Sequence, residues 1–264
     1  MTPPPTVLHW PGGGSWDPSQ LTALVAWYKA DSLTGVTDGD SVASLSDSSG
    51  TGNNLTVHDV NNTPVVRTNA LNGLNIIEWR NAATPLKNTS SSVFQNVSGI
   101  SRAIVYRQPD TASINVDAVS ESGSSDERFF HQLTYVNQIR NRTKRRHLDS
   151  YNPSLGIAYG AASANTWYVQ VDFADFSVPS GSGTLNGVSG GTLTLTSGNT
   201  ASASTAVFLG GLLGTGYNVD IAESVYVNAA VSTADRERLE GYLAHKWGLT
   251  ANLPSSHPYK SSAP

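Results

Sequence analysis

The chain is 264 residues long, only 14% of them charged, with a net charge of −4 and no cysteine. That length accommodates one large β-sandwich with a full core. The acidic balance offers no electrostatic footprint for DNA or RNA, and the missing thiols exclude disulfides, thiolate metal sites and a cysteine nucleophile. No run approaches the ~18 apolar residues of a membrane span, and the opening MTPPPTVLHWPGGGSWDPS has neither the basic flank nor the apolar stretch of a secretion signal.

Residues 1–20 are rich in Pro and Gly and carry Trp10 and Trp16 in sequence unable to form regular structure; they are expected to be a docking arm ahead of one domain at 21–264. Indoles in an open arm need a surface, either their own sandwich or a neighbouring subunit or particle. Strand-like runs then recur between turn residues, at Ala23–Ala30, Val65–Thr68, Leu74–Trp79, Ala103–Arg107, Phe129–Ile139, Trp167–Phe173, Thr192–Thr196, Ala206–Leu209 and Ile221–Val227. Asn186-Gly187 marks a two-residue hairpin, because both central positions of that turn need positive φ. Residues 178–203, the richest in Gly, Ser and Thr, read as hairpin loops. The last strand hands over to a single helix. Ser232 with Asp235 reads as a capping box, Leu239, Tyr242, Leu243 and Trp247 form an apolar stripe at helical spacing, and Gly248 ends the helix, with Pro254 and Pro258 preventing its resumption. Many short strands with one short helix make an all-β domain.

Patterns that carry chemistry are sparse. Asp172 and Asp175 in VDFADF lie three apart and point to opposite faces of a strand, which does not suit a paired-carboxylate glycanase. Gly39-Asp40-Ser41-Val42 lacks the downstream Asp-x-x-His that would activate a serine, since His257 follows Pro254, Ser255 and Ser256. The six histidines show no metal-ligand spacing. Asp47–Asn54 (DSSGTGNN) is oxygen-rich, but one carboxylate is a weak calcium site, and Asp47 is read as bonding turn amides. No catalytic residue, metal or cofactor is therefore expected.

Three further readings concern placement. Alternation puts Glu223 on the face of Ile221, Val225 and Val227, where a carboxylate must be satisfied, so it is read as a structural acceptor. Trp27 and Trp247 are read as packing residues from distant parts of the chain that meet. Residues Arg140–Arg146 (RNRTKRR) hold five of the sixteen Lys and Arg, with Arg140, Arg142 and Lys144 sharing one strand face. That ladder suits carboxylates, phosphates or sulfates; equally, it suits a solvated hairpin paired with Asp126, Glu127 and Asp149. Trp10, Trp16, Arg142, Lys144, Arg145 and Arg146 are the candidates for docking onto a particle. For a sugar, which needs an aromatic platform with planar polar partners, the candidates are Trp79, Tyr135, Tyr159 and Trp167 with Arg80, Asn137, Arg140 and Gln170.

The stretch IAESVYVNAAVSTADRERLEGYLAHKWGLTANLPSSHPYK resembles the C-terminal signature of LamG-like, concanavalin A-like jelly-roll domains. LVAWYKADSL (Leu24–Leu33), DGDSVASLSDSSGTGNN (Asp38–Asn54) and NGLNIIEW (Asn72–Trp79) resemble that domain's opening strands. The resemblance covers residues 22–260 and implies a concanavalin A-like jelly-roll β-sandwich with one short C-terminal helix. Such domains occur in bacterial surface proteins and in tail, fibre or decoration proteins of phages, where members bind sugars, cut sugars or only build surfaces. The glycanases of this fold carry Glu-x-Asp-x-Glu, which is absent here. The expectation is a non-enzymatic virion surface protein, made in the host cytoplasm, that serves as a head decoration, fibre or tail adhesion subunit. It would bind cell-surface glycans through Trp79, Arg80, Tyr135, Asn137, Arg140 and Tyr159. Its expected partners are other virion proteins (capsid, tail or fibre) and polysaccharide, with no nucleic acid and no membrane insertion, displayed as a homo-oligomer or in many copies. A structural decoration subunit without ligand, and a bacterial cell-surface module that binds or cleaves glycans, remain the alternatives.

Overall fold

The computed structural model describes residues 16–80, 83–92, 94–110, 116–121, 128–129, 131–135, 138–142, 157–200, 205–212, 215–216 and 218–264. In chain order the strands are β1 (Leu24–Lys29), β2 (Ser44–Leu45), β3 (Leu55–Val57), β4 (Val65–Leu71), β5 (Leu74–Trp79), β6 (Leu86–Ser91) and β7 (Gly99–Gln108). They continue with β8 (Asp117–Glu121), β9 (Arg128–Phe129), β10 (His131–Tyr135), β11 (Gln138–Arg142), β12 (Ile157–Ala161), β13 (Thr166–Asp175) and β14 (Ser180–Leu185). Then follow β15 (Val188–Thr194), β16 (Thr205–Leu209), β17 (Gly211–Leu212), β18 (Thr215–Gly216), β19 (Val219–Val227) and one helix, α1 (Thr233–Lys246).

Eight strands form the main sheet in the order β15-β14-β13-β7-β19-β5-β4, and β1 takes over the edge of β19 where β5 leaves it. A six-stranded sheet, β2-β3-β6-β16-β8-β9, makes the second layer, while β10-β11-β12 forms a smaller sheet with β12 against β14 and β15. All pairings are antiparallel. The molecule is thus an all-β jelly-roll sandwich with one helix near its C-terminus.

Side chains alternate between the faces of the main sheet and build two separate cores. Towards the second sheet, Tyr28, Val66, Ile77, Trp79, Ile104, Tyr106 and Tyr226 pack with Leu45, Leu55, Leu86, Phe94 and Val207. On the opposite face, Trp27, Ile76, Ala103, Val105, Val169, Val171 and Val225 pack under Leu239, Leu243 and Trp247 of the helix region. The helix begins as its sequence requires: Ser232 Oγ accepts the Asp235 N–H at 3.1 Å. It ends where Gly248, at φ 69°, closes a bond from the Leu249 N–H to the Ala244 carbonyl. Asn186 and Gly187, at φ 53° and 75°, make the β14–β15 hairpin turn.

Three expectations need correction. Residues 178–203 are not loops, for they contain β14 and β15. Their glycines have a packing reason: a Cβ on Gly183 or Gly190 would run into the Tyr159 side chain, which crosses under both strands. The run Phe129–Ile139 is not continuous but divides among β9, β10 and β11, the last two pairing as a hairpin. Glu223 does not share the face of Ile221, because a bulge in the β19–β7 ladder lies between them. The inserted residue turns Glu223, with Val225 and Val227, towards the helix, while Ile221 faces the second sheet.

Candidate functional site

On the helix-facing side of the main sheet, one step along the strands from Val105 and Val169, four residues stand directly opposite one another across four strands. They are Glu78 on β5, Asp220 on β19, Arg107 on β7 and Trp167 on β13. Arg80, just past β5, and Arg67 on β4 complete the row. Asp220 sits at its centre with a fully buried carboxylate, holding Arg107 through Nε at 2.6 Å and Nη2 at 2.5 Å, and Arg80 Nη2 at 2.7 Å. Arg80 also reaches Glu78 at 3.3 Å, Glu78 accepts from Arg67 Nε and Nη2 at 2.9 and 2.7 Å, and Arg67 meets Asp38 at 3.2 Å. At the other end the Arg107 guanidinium lies 5.1 Å from the centre of the Trp167 ring.

The row is held rigidly yet stays at the surface. The side chains of Arg67, Arg80 and Arg107 remain 39%, 27% and 29% exposed. Planar guanidiniums clamped by carboxylates, next to an indole, present a flat surface that combines hydrogen-bonding edges with an apolar face. That is the combination a sugar ring demands, with hydroxyls at its rim and C–H groups on its face.

The other well-placed carboxylates are taken up by structural donors. Asp172, on the inner face of β13, accepts from Arg102, from the Tyr159 hydroxyl and, at 2.9 Å, from Gln170 Nε2, while Gln170 Oε1 accepts from the Tyr106 hydroxyl at 3.1 Å. Burial, reinforced by the Asp172 charge, pushes the Tyr159 hydroxyl well above its ordinary value, so it stays protonated and donating. Asp175 caps its own turn through Ser177 and Val178. Glu240 takes the Thr184 hydroxyl and, at 2.8 Å, His257 Nε2; the Tyr259 N–H meets His257 Nδ1 at 3.2 Å, consistent with Nε2 carrying the proton. Asp47 accepts backbone N–H groups from Trp27, Ser49 and Asn53 at 2.9–3.0 Å. Burial alone would raise its pKa, but the Ser49 and Trp27 amides with the other donors outweigh it and hold the carboxyl below its ordinary value. Among the described residues no group of three or more His, Asp or Glu is arranged to hold a metal.

Of the residues singled out from sequence, Arg80 and Trp167 fall in the row. Trp79 does not: it is fully buried on the inner face, with Nε1 donating to the Thr84 carbonyl at 3.2 Å, so no sugar can stack on it. Tyr159 is turned inward onto Asp172 and Gln170 is fully buried, so neither forms a platform. Tyr135 lies on β10 and Arg140 and Arg142 on β11, where only the backbone is described; Asn137, Lys144, Arg145, Arg146 and Trp10 lie outside the described residues. Trp16 is set edge-on against Tyr242, ring centres 6.2 Å apart, and its backbone N–H reaches the Pro264 carbonyl at 3.4 Å, so this residue is seated on its own domain. Trp27 and Trp247 are both buried and donate to Glu223 at 2.6 and 2.8 Å.

Sequence reasoning passed over Arg67, Glu78, Arg107 and Asp220. Arg67, Glu78 and Arg107 lie within strand runs that were legible and Asp220 just before one, but which strand lies beside which is not written locally.

No protein-family model and no curated protein matches the sequence. Solved structures do match in fold. Trypanosoma rangeli sialidase in complex with sialic acid aligns over 84% of this chain at 13% identity and TM-score 0.56. This chain covers 33% of that sialidase. Domain 4 of AbnA, a GH43 extracellular arabinanase from Geobacillus stearothermophilus, in complex with arabinotriose, aligns over 83% of this chain and 98% of that domain, at 13% identity and TM-score 0.52. The HCR/D W1238A mutant aligns over 86% of this chain and 55% of that one, at 12% identity and TM-score 0.60. At these identities the shared property is the β-sandwich fold.

Proposed function

We propose that this chain is a non-enzymatic glycan-binding sandwich on the surface of a virion, as a head decoration, fibre or tail adhesion subunit that contacts cell-surface glycans. The observation that carries the reading is the half-exposed row from Arg67 to Trp167, a preformed planar surface on an otherwise helix-covered sheet face. The fold supports it: a sialidase bound to sialic acid and an arabinanase domain bound to arabinotriose share the sandwich. A binding role is favoured over hydrolysis because, among the described residues, Asp172, Glu223 and Glu240 are buried and engaged by donors, and the facing pair Glu78 and Asp220 is neutralised by Arg67, Arg80 and Arg107. Placement on a virion rests on the sequence resemblance and on the Pro/Gly-rich sequence ahead of Trp16. A flat site of this kind binds weakly alone and gains by display in many copies.

The test is a glycan array on the full chain, its Trp167→Ala variant and a chain starting at Gln20. Saturable binding should drop about tenfold or more in Trp167→Ala, the equivalent of ~1.4 kcal/mol of ring contact, measured where the variant is still fully folded by far-ultraviolet dichroism, since Trp167 also packs against the helix-side core. Arm truncation should spare glycan binding and weaken attachment to the particle. Attachment without binding of any glycan would instead identify a structural decoration subunit.

A further inference from the structure

We infer that the ligand of the row is a neutral oligosaccharide lying across the strands, not an acidic glycan. The inference rests on the glycan-binding reading and names the substrate class of the same site. Three cations, Arg67, Arg80 and Arg107, are matched by three anions, Asp38, Glu78 and Asp220, at 2.5–3.3 Å. An anionic sugar approaching any guanidinium therefore meets a carboxylate at nearly the same range, and the attraction and repulsion cancel. Drawing Arg80 or Arg107 towards an external anion would also strip partners from Asp220, whose carboxylate has no solvent exposure to replace them. A neutral hydroxyl meets no such obstacle, because it accepts from a guanidinium and donates to Glu78 or Asp38, the carboxylates of the row that keep solvent exposure, with no net movement of charge.

The shape indicates more than one sugar. With neighbouring strands ~4.8 Å apart, the three inter-strand steps from Glu78 to Trp167 span about 14 Å. The surface is a sheet face, so affinity has to come from contacts distributed along the row, with Trp167 stacking at one end. A single ring would cover only part of it.

Equilibrium binding of the full chain should be measured against neutral arabino-, gluco-, xylo- and galacto-oligosaccharides of increasing length, and against oligogalacturonates and sialyl-lactose, at low and at physiological salt. The neutral panel is expected to bind with affinity that rises with length, falls in Trp167→Ala and changes by less than about twofold with salt. Asp38→Asn removes an exposed carboxylate from the end of the row and leaves it one positive charge in excess. This variant should gain salt-sensitive binding of the acidic panel; failure to gain it would overturn the charge-matching argument, whatever the change in neutral binding. Salt-sensitive binding of acidic glycans by the unaltered chain, with the neutral panel inert, would overturn the inference and leave the glycan-binding reading standing. Neutral binding indifferent to Trp167→Ala would overturn the assignment to this row. Failure of both panels would overturn the glycan-binding reading itself.

Discussion

Glu223 shows how much one buried carboxylate can organise. Its Oε1 accepts from Trp27 Nε1 at 2.6 Å and the Tyr242 hydroxyl at 3.1 Å; Oε2 accepts from Lys246 Nζ at 2.7 Å and Trp247 Nε1 at 2.8 Å. Strand β1, strand β19 and the helix are thereby tied at one point. Burial works against the Lys246 charge, but Glu223 and then Asp31, 3.0 Å away, more than offset it and raise the lysine's pKa. A raised lysine pKa stabilises the fold through neutral pH, and that contribution is lost only as strongly alkaline pH passes the folded-state value. Glu223→Gln turns one acceptor into a donor facing other donors and removes the charge opposite a buried ammonium. A loss of about 3–5 kcal/mol is expected, read from the urea midpoint at neutral pH. A change below ~1 kcal/mol would mean that the junction is held by ring packing alone.

The helix illustrates what a single element draws from its own sequence. Its N-cap, apolar stripe and glycine stop were all legible, because each rests on contacts within a few residues. The stop also has a tertiary side: a Cβ on Gly248 would approach Asn72 Cγ to 3.0 Å, and Asn72 Nδ2 donates to the Lys246 carbonyl at 2.8 Å. Gly248→Ala should therefore cost about 1–2 kcal/mol from the left-handed backbone, with crowding added. Differential scanning calorimetry should show a midpoint lower by roughly 2–8 °C; an unchanged midpoint would place the helix end under no strain. The β14–β15 hairpin makes the contrasting case. Its turn was legible from Asn186-Gly187, yet β14 was not and β15 only at its end from Thr192, since Gly and Ser are poor strand formers and occupy these positions to admit Tyr159.

For the molecule as a whole, the helix is a third layer on which the main sheet depends. Leu239 and Leu243 are completely buried, each contributing roughly 1.5–3 kcal/mol on the scale of apolar transfer. A chain ended after Ala230 would expose Trp27, Val105, Val169 and Val171 and leave Glu223 with one of its four side-chain donors. We expect that truncation to yield insoluble protein, scored by soluble fraction against full-length chain; soluble protein with native near-ultraviolet dichroism would show that the two sheets suffice. The longer chain starting at Gln20 keeps all of these contacts, losing the Trp16–Tyr242 ring contact, the Trp16–Pro264 backbone bond and the short turn that buries Pro18.

At that same scale, the sequence by itself determined the all-β class, most long strands, the C-terminal helix with both ends, the Asn186-Gly187 hairpin turn and the structural place of Asp47. These follow from period, turn chemistry and capping, all of which act over a few residues. Tertiary structure alone decided which residues face one another. The β19 bulge sent Glu223 to the helix side, Trp79 went to the inner core while its neighbours Glu78 and Arg80 reached the surface, and Asp220 met Arg107, 113 positions away in the chain. A one-residue change of register reverses every such facing, and register is fixed by the packing of whole layers, which no local pattern contains.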